Sequence, residues 1–528
     1  MTEEKNENGK KGGFLSFLKR KKNPDKRRLS LRLLDGVEKV GNKLPDPATL
    51  FALLALFTLL LSYLIDVIGV QATHPGTGEA VQVNNLLSAE GFRFIFSSVT
   101  DNYINFPPLG IVVVAMIGIG MAEGSGLISA ALKHMVTATP KKLITASVIT
   151  AGILSHLASS VGYVVLIPLG AMVFAAFDRH PIAGLAAAFC GVSAGFGANF
   201  MIGSVDPILS GLSESASNII DPEMSLTPAI NLYFMFASGI MLVGVGTWIT
   251  EKFVEPRLGE YDGDLEKFEK VQSHEKKGLL WAGISLLVLV AVFLLMLIPE
   301  NGILRNPETG SILNSPFMNG LITAIFLVFF IPGLVYGIVV GSIENDKDAI
   351  KHMKASMKNL AGYLVLVFFA AQFVSIFKES NLGVLLAIKG AEVLENIGMT
   401  GIGLFIAFVV ISSFINLFMG SASAKWAIMA PIFVPMFMLL GYHPAITQAA
   451  YRIGDSVTNV ITPMMTYFAL IVTFAQKYKK DAGIGTIIAT MLPYTVILTI
   501  AWMILLAIWM LLGLPVGVNA PIEYSAIM

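Results

Sequence analysis

Nine stretches of this chain are apolar over about 20 residues, the length an α-helix needs to cross a hydrocarbon layer roughly 30 Å thick at 1.5 Å per residue. They lie near 48–70, 106–134, 182–200, 227–250, 279–298, 316–342, 358–390, 446–472 and 485–513. Lipid offers no partner to an unpaired backbone N–H or C=O, so runs of this length read as helices that satisfy their own backbone. Mean hydropathy is +0.72 and only 14% of residues are charged, which sets the chain apart from soluble globular domains. The fold expected is an all-α polytopic membrane protein with nine transmembrane helices.

Two further apolar stretches are interrupted by polar clusters. The first, 143–177, is broken at His156 to Gly162, and the second, 400–440, at Asn416 to Lys425. Each arm is about 12 to 16 residues, roughly 18–24 Å of helix, too short to cross comfortably and suited to a re-entrant hairpin.

Charge assigns the sides. Residues 1–43 carry 13 Lys/Arg against 6 Asp/Glu, so the basic tail, 1–46, is expected in the cytoplasm. The tail lacks interleaved aromatics, so its basic residues are read as topology signals that touch anionic lipid headgroups, with no nucleic-acid role. If both interrupted stretches turn back, the basic loops at Lys141-Lys142, Lys252 to Lys277, Lys347 to Lys358 and Lys477 to Lys480 all fall inside. The segments near 75–105, 204–226, 299–315, 441–445 and 514–528 fall outside, which places the C-terminus in the periplasm. Reading either stretch as a full crossing would reverse every later loop. The first apolar span follows the long basic tail with no small-residue cleavage site after it, so no signal peptide is expected. The sole cysteine, Cys190, permits neither an intrachain disulfide nor a cysteine-based metal site.

The chain also repeats itself. With Ser160 set against Ser423, Pro168 falls on Pro431, Phe174 on Phe437, His180-Pro181 on His443-Pro444, Gly191 on Gly454 and Ser193 on Ser456, without a gap. Upstream, Glu123 and Lys133 recur at the same separation as Glu379 and Lys389. The first half, 47–342, holds hairpin 1 (143–177) and a broken helix near 191–206. The second half, 343–528, holds hairpin 2 (400–440) and a broken helix near 454–463. Because the first hairpin opens from the cytoplasm and the second from outside, the units are inverted repeats, the geometry that gives secondary transporters two nearly equivalent shapes.

Each hairpin tip is paired with a broken helix rich in Gly, Ser, Thr and Asn. Ser160, Ser193 and Asn199 are the candidate cation ligands of the first repeat; Asn416 and Asp455 are those of the second. All-oxygen shells suit a small hard cation, sodium rather than zinc or copper. Taken alone, either cluster of small polar residues reads as close helix packing; recurrence beside a broken span in both halves favours ion sites. Asp455 lies about 14 Å along its span, near the midplane, where an ionisable group is a functional hypothesis by default. Arg452, one turn earlier, is expected to pair with it, either as a structural ion pair or with Arg452 on a substrate carboxylate and Asp455 on a cation or proton. Asp206, before Pro207, reads first as a helix N-cap. Trp426 offers an aromatic face or simple packing, and Lys425 either attracts an anion or snorkels toward water.

Over nearly its whole length from about residue 30, the chain resembles the p-aminobenzoyl-glutamate transporter (AbgT) family. The specific stretches are Asn416 to Pro435 (NLFMGSASAKWAIMAPIFVP), His443-Pro444, Tyr451 to Pro463 (YRIGDSVTNVITP) and Gly203 to Ser213 (GSVDPILSGLS). The resemblance implies substrate-path residues at Asp206, Ser423, Trp426, Pro444, Arg452, Asp455 and Pro463, and a sodium site at Asn416 and Asp455. It further implies a homodimer in the bacterial inner membrane that moves p-aminobenzoyl-glutamate or related folate fragments, with sulfonamide export in some members, driven by a cation gradient. A sodium-coupled carboxylate carrier of similar hairpin architecture is the alternative. No HExxH motif supports an intramembrane hydrolase, and a passive channel needs no inverted repeat. The chain is therefore expected to be a transporter without enzymatic activity or cofactor, coupled to sodium or protons.

Overall fold

The computed structural model describes residues 45–73, 80–157, 162–261, 272–312, 315–463, 465 and 467–524. Most of the basic tail and Ser160 lie outside the described residues.

The helices follow local signals. Helix α1 (Pro47–Ile68) begins with Pro47 behind Asp46, whose carboxylate accepts from Ala48 N at 2.9 Å, and ends at Gly69 in the left-handed region, φ 76°. A short antiparallel ribbon, β1 (Gln71–Thr73) and β2 (Ala80–Gln82), leads to α2 (Ala89–Ile104), α3 (Pro107–Gly124) and α4 (Leu127–Thr137). Next come α5 (Ile144–Leu154), α6 (Ile167–Ala176), α7 (Pro181–Ser193) and α8 (Asp206–Ser217). Helix α9 (Leu232–Ile249) runs through a π turn, Thr250–Val254, into α10 (Glu255–Leu258). It is followed by α11 (Ser273–Leu297), α12 (Pro316–Asn319), α13 (Leu321–Val340), α14 (Asp346–Glu379) and α15 (Leu382–Asn396). The last five are α16 (Gly401–Asn416), α17 (Ala422–Leu439), α18 (Pro444–Asn459), α19 (Phe468–Tyr478) and α20 (Ile484–Leu511).

By length and apolar composition, eight helices among the described residues can cross a membrane, or nine if the pair α15 and α16, bent by 119°, is one span. Four details depart from the sequence reading, the first being that the run 106–134 is two helices, α3 and α4, broken at Ser125-Gly126, where Gly126 adopts φ 91°. The segment read as an outside loop contains α2, whose mixed polar and aromatic sequence is too short and too polar to read as a span. The run 358–390 is two helices broken at Ser380-Asn381, where Asn381 adopts φ 59°. Helix α17, read as one hairpin arm, is long and apolar enough to be counted as a span by composition.

Both interrupted stretches nevertheless reverse direction. Thr145, at the start of α5, accepts from Arg179 Nη1 just beyond α6 at 2.8 Å. Gly401, at the start of α16, donates its N–H to Tyr442 Oη just beyond α17 at 2.7 Å. The two ends of each stretch therefore lie together.

The repeat is visible in element boundaries. Under the Ser160/Ser423 register, α6 and α17 end at matched positions, Ala176 and Leu439, and α7 and α18 begin at matched positions, Pro181 and Pro444. In both copies a helix then breaks and a second short helix follows, α8 in one and α19 in the other. Gly191 and Gly454 also do the same work. A Cβ on Gly191 would strike the Ile149 backbone of α5, and one on Gly454 would strike Ser412 and Val409 of α16. Each broken helix thus packs backbone to backbone on its hairpin's first arm.

Every residue of α7 and of α18 is buried, so the two broken helices form the centre of the molecule. Helix α11 is the opposite case, with only Gly278, Ala282, Leu289 and Leu297 buried, as expected of a helix that faces lipid.

Candidate functional site

Helix α18 is polar yet has no exposed side, which is tolerable only if its polar groups find partners. Gln448, Arg452, Asp455 and Asn459 recur at helical spacing and make one polar stripe.

Around Asp455 the stripe meets the tip of the second hairpin. Asn416, the last residue of α16, turns its amide Nδ2 toward Asp455 O at 2.8 Å, and toward Thr458 Oγ1 and Asn459 Oδ1, each at 2.9 Å. Its Oδ1 accepts from Lys425 Nζ, which also donates to Asp455 Oδ1. Asn459 Nδ2 donates to the other carboxylate oxygen, Oδ2, at 2.6 Å. Asn416, Lys425 and Asp455 are each 0% exposed. Tyr451 closes one side, with its hydroxyl donating to Ala422 O at 2.6 Å and its ring centroid 5.7 Å from Lys425 Nζ.

One turn earlier, Arg452 reaches into the other repeat. Its Nε and Nη2 donate to Phe196 O at 3.2 and 2.7 Å, in the 3-10 turn Ala194–Gly197 that ends α7, and its Nη1 pairs with Asp206 Oδ1. The break has freed that carbonyl, and a forked guanidinium is suited to hold a carbonyl and a carboxylate together. The expected Arg452–Asp455 pair is therefore not formed: one residue turns to the first repeat and the other to the second, which gives two buried ion pairs where one was expected. The breaks touch here, because a Cβ on Gly197 would sit 2.7 Å from Ser456 Oγ and 3.0 Å from Arg452 O.

Asp206 is the first residue of α8, not its cap; Val205 holds that position, and Asp206 Oδ2 accepts the N–H of Gly203 upstream. Trp426 is fully buried, stacked on Tyr451 with ring centroids 4.5 Å apart, and donates to Ser213 Oγ at 3.0 Å. From there a polar chain runs Ser213 to Gln448 (2.6 Å), Gln448 to Asn231 (2.7 Å) and Asn231 to Ala445 O (2.8 Å). Lys425 neither snorkels nor faces water; it is enclosed.

The remaining candidates lie apart. Ser423 is half-buried in the first turn of α17, and Pro463 follows the end of α18. Pro444 opens α18, eleven residues before Asp455 and so about 16 Å away along the axis. In the first repeat, Ser193 Oγ is engaged by Tyr163 Oη at 3.1 Å and Met465 Sδ at 3.3 Å, while Asn199 Oδ1 accepts from Phe200 N at 2.9 Å. Ser160, the third candidate, lies outside the described residues.

For a sodium ion the donor chemistry of the second site fits. The oxygens of Asn416 and Asp455 converge on one point, and a monovalent cation, the Lys425 ammonium, stands at it. Among the described residues no group of three or more His, Cys, Asp and Glu is placed to hold a metal ion, so the site has none of the ligands that favour zinc or copper. Tyr451, Gln448, Ser213 and Asn231 belong to the assembly but were not singled out from sequence. The signal for the α18 members was the four-three-four spacing around Arg452 and Asp455.

Comparisons with known proteins agree on one relationship. A family model described as "AbgT putative transporter family" matches residues 32–524. The chain is 40% identical over 487 residues to the p-aminobenzoyl-glutamate transport protein of Escherichia coli K12, covering 92% of this chain and 96% of that protein. Its structure is similar to that of the Neisseria gonorrhoeae MtrF protein, described within a class of antimetabolite efflux pumps, with TM-score 0.88 and 47% identity over 93% of this chain and 100% of that one. The crystal structure of the Alcanivorax borkumensis YdaH transporter gives TM-score 0.86 and 45% identity, covering 90% of this chain and 100% of that chain.

Proposed function

The chain belongs to the AbgT transporter family, and on that premise we propose that it is a cation-coupled secondary transporter for p-aminobenzoyl-glutamate and related aryl carboxylates, with sulfonamide antimetabolites as further export substrates. That it is a multi-pass membrane transport protein and not an enzyme follows from the family. The proposal adds the substrate, the coupling, the bacterial inner membrane with the N-terminus inside and the C-terminus outside, and a homodimeric assembly.

One observation carries the coupling: two ion pairs, Arg452–Asp206 and Lys425–Asp455, are buried where the two broken helices meet. A charge held at membrane depth is costly, and its retention supports a transport role. Helix α18 supplies one partner of each pair, so a change at Asp455 on binding or losing a cation is transmitted along three residues to the contact with the other repeat. Asn416 and Asp455 are the proposed sodium ligands. Trp426, Tyr451 and Arg452 offer an aromatic wall and a carboxylate anchor to an aryl carboxylate. In the proposed cycle the hairpins are re-entrant and, with the broken helices, move against a scaffold of α1, α9, α11, α13 and α20.

Flux into proteoliposomes tests this directly. Uptake or efflux of p-aminobenzoyl-glutamate and of a sulfonamide is measured under separately imposed sodium and proton gradients. Flux of both compounds that follows one of the gradients is expected; flux indifferent to both would leave a passive pore.

A further inference from the structure

Two buried cations that belong to the protein form ion pairs along α18, one at the break after α7 and one at the tip between α16 and α17, and they differ in kind. At the first, the Arg452 guanidinium spans Phe196 O and Asp206, tying together two elements that are separate in sequence. At the second, a single ammonium on a flexible stem lies between one oxygen of Asn416 and one of Asp455. Lys425 comes from α17, whereas the oxygens it touches come from α16 and α18, so the ammonium can withdraw without breaking either of those helices. Those oxygens have other supports besides Lys425: Asn416 is held by its Nδ2 contacts, and the Asp455 carboxylate by Asn459.

We propose that Lys425 is a tethered competitor for the coupling ion: its ammonium occupies the site between Asn416 and Asp455 when the carrier holds no sodium, and sodium binds there by displacing it. This rests on the reading that Asn416 and Asp455 are the sodium ligands. The physical reason is the cost of the empty state. A fully buried Asp455 carboxylate without a counter-charge is strongly destabilising, and an ion-free carrier must nevertheless exist in every transport cycle. Lys425 supplies the counter-charge from within. Sodium and the ammonium cannot share the position, because two like charges would stand at a single carboxylate.

The charged surroundings leave Asp455 as the partner of Lys425. On α18, Arg452 is committed to Asp206 of α8. On α8, the Glu214 carboxylate accepts from Leu226 N at 2.9 Å. On α15, Lys389, Glu392 and Glu395 are exposed, as are Lys378 and Glu379 at the end of α14.

The test is sodium binding to the purified full-length protein in lipid nanodiscs, read by the sodium-dependent rise in melting temperature at constant ionic strength with choline as the control. Lys425→Gln is expected to bind sodium at least about tenfold more tightly than the native chain, since the competitor is gone, and to gain correspondingly more stability from it. Lys425→Arg, which keeps a permanent charge, is expected to show no such gain. A second measurement uses the native protein: sodium, and not choline, is expected to raise modification of Lys425 by a small amine reagent, read by peptide mass spectrometry. If Lys425→Gln binds sodium only as well as the native chain, or if labelling of Lys425 is unmoved by sodium that demonstrably binds, the competitor role is wrong while the sodium site stands. If neither the native chain nor Lys425→Gln binds sodium, the site assignment falls and the proposal with it.

Discussion

Asp455 combines two demands that separate variants can pull apart. Asp455→Asn removes the ligand proposed for the cation and also strands the Lys425 ammonium, and losing one partner of a buried pair typically costs about 3–5 kcal/mol. The expected result is loss of cation-stimulated flux together with a lower melting temperature. Adding Lys425→Met to Asp455→Asn removes the stranded charge, so stability should return while coupled flux does not. If flux returned as well, Asp455 would be only a counter-ion. Arg452 is a parallel case. Arg452→Ala leaves Asp206 and the Phe196 carbonyl without their donor, and Asp206→Asn in that background should recover part of the stability. At the level of transport, Arg452→Ala should raise KM for p-aminobenzoyl-glutamate more than for a sulfonamide without a carboxylate. An equal loss for both would make Arg452 a structural brace. The identities of these residues were legible in the sequence, because charged groups within apolar runs are conspicuous. Their partners were not. Arg452 and Asp455 are neighbours on one helix, which suggested a mutual pair, but each is better satisfied across the bundle, by groups more than 200 residues away for Arg452 and on the facing hairpin for Asp455. Local spacing shows which side chains can meet; it does not show which competing partner is nearer.

At the scale of elements, the first hairpin is held closed by a latch at its open end. Arg179 Nε donates to Glu255 Oε1 at 2.9 Å and its Nη2 meets the second oxygen of the same carboxylate, while Nη1 donates to Thr145 Oγ1. Thr145 in turn donates to Glu251 Oε1 at 2.8 Å. The guanidinium also lies 4.1 Å from the Phe174 ring centroid. This joins α5, the end of α6 and the α9–α10 segment at one point. Arg179→Lys cannot reproduce the fork, so it should destabilise the protein by about 1–3 kcal/mol and raise protease sensitivity at the loop before α7. Unchanged proteolysis would show that the latch is ornamental. At the corresponding place the second hairpin has the Gly401–Tyr442 hydrogen bond and the Tyr442 ring edge-on to Phe405, with centroids 5.0 Å apart. The matched boundaries of α6 with α17 and of α7 with α18 were readable from the sequence register. Helix α2 was not, because it is too short and too polar to register as a span. The break between α14 and α15 was hidden by continuous apolar residues on both sides of it.

At the scale of the whole molecule, contacts join the loops in sets without reference to charge. The C-terminal segment pairs with the α17–α18 turn through His443 N to Ile522 O at 2.8 Å, with the start of α9 through Tyr233 N to Val516 O at 3.1 Å, and with the segment before α9 through Tyr524 Oη to Asp221 Oδ2 at 2.9 Å. Other contacts join the remaining loops: the Arg179 latch and the Arg257 contact with Ala489 O share the α9–α10 segment, and Ser342 donates to Ser125 O. Positive charge is what assigns the first set to the outside and the second to the inside. Cysteine labelling supplies an independent assignment. Cys190, the sole native cysteine, is 0% exposed and should stay silent toward a membrane-impermeant maleimide, so single cysteines can be added without first removing it. Glu223→Cys and Glu300→Cys, at exposed positions of the expected outer loops, should label in intact spheroplasts, whereas Lys142→Cys, Glu344→Cys and Lys480→Cys should label only after lysis. The pattern also tests the hairpins. If the 143–177 stretch crossed the membrane once, residues 223, 300, 344 and 480 would all switch sides relative to 142. If only the 400–440 stretch crossed, 223, 300 and 344 would hold and 480 alone would switch. The two errors have different signatures, so five single-cysteine proteins are enough to tell two re-entrant hairpins from one, and with them an inverted pair of repeats from a parallel pair.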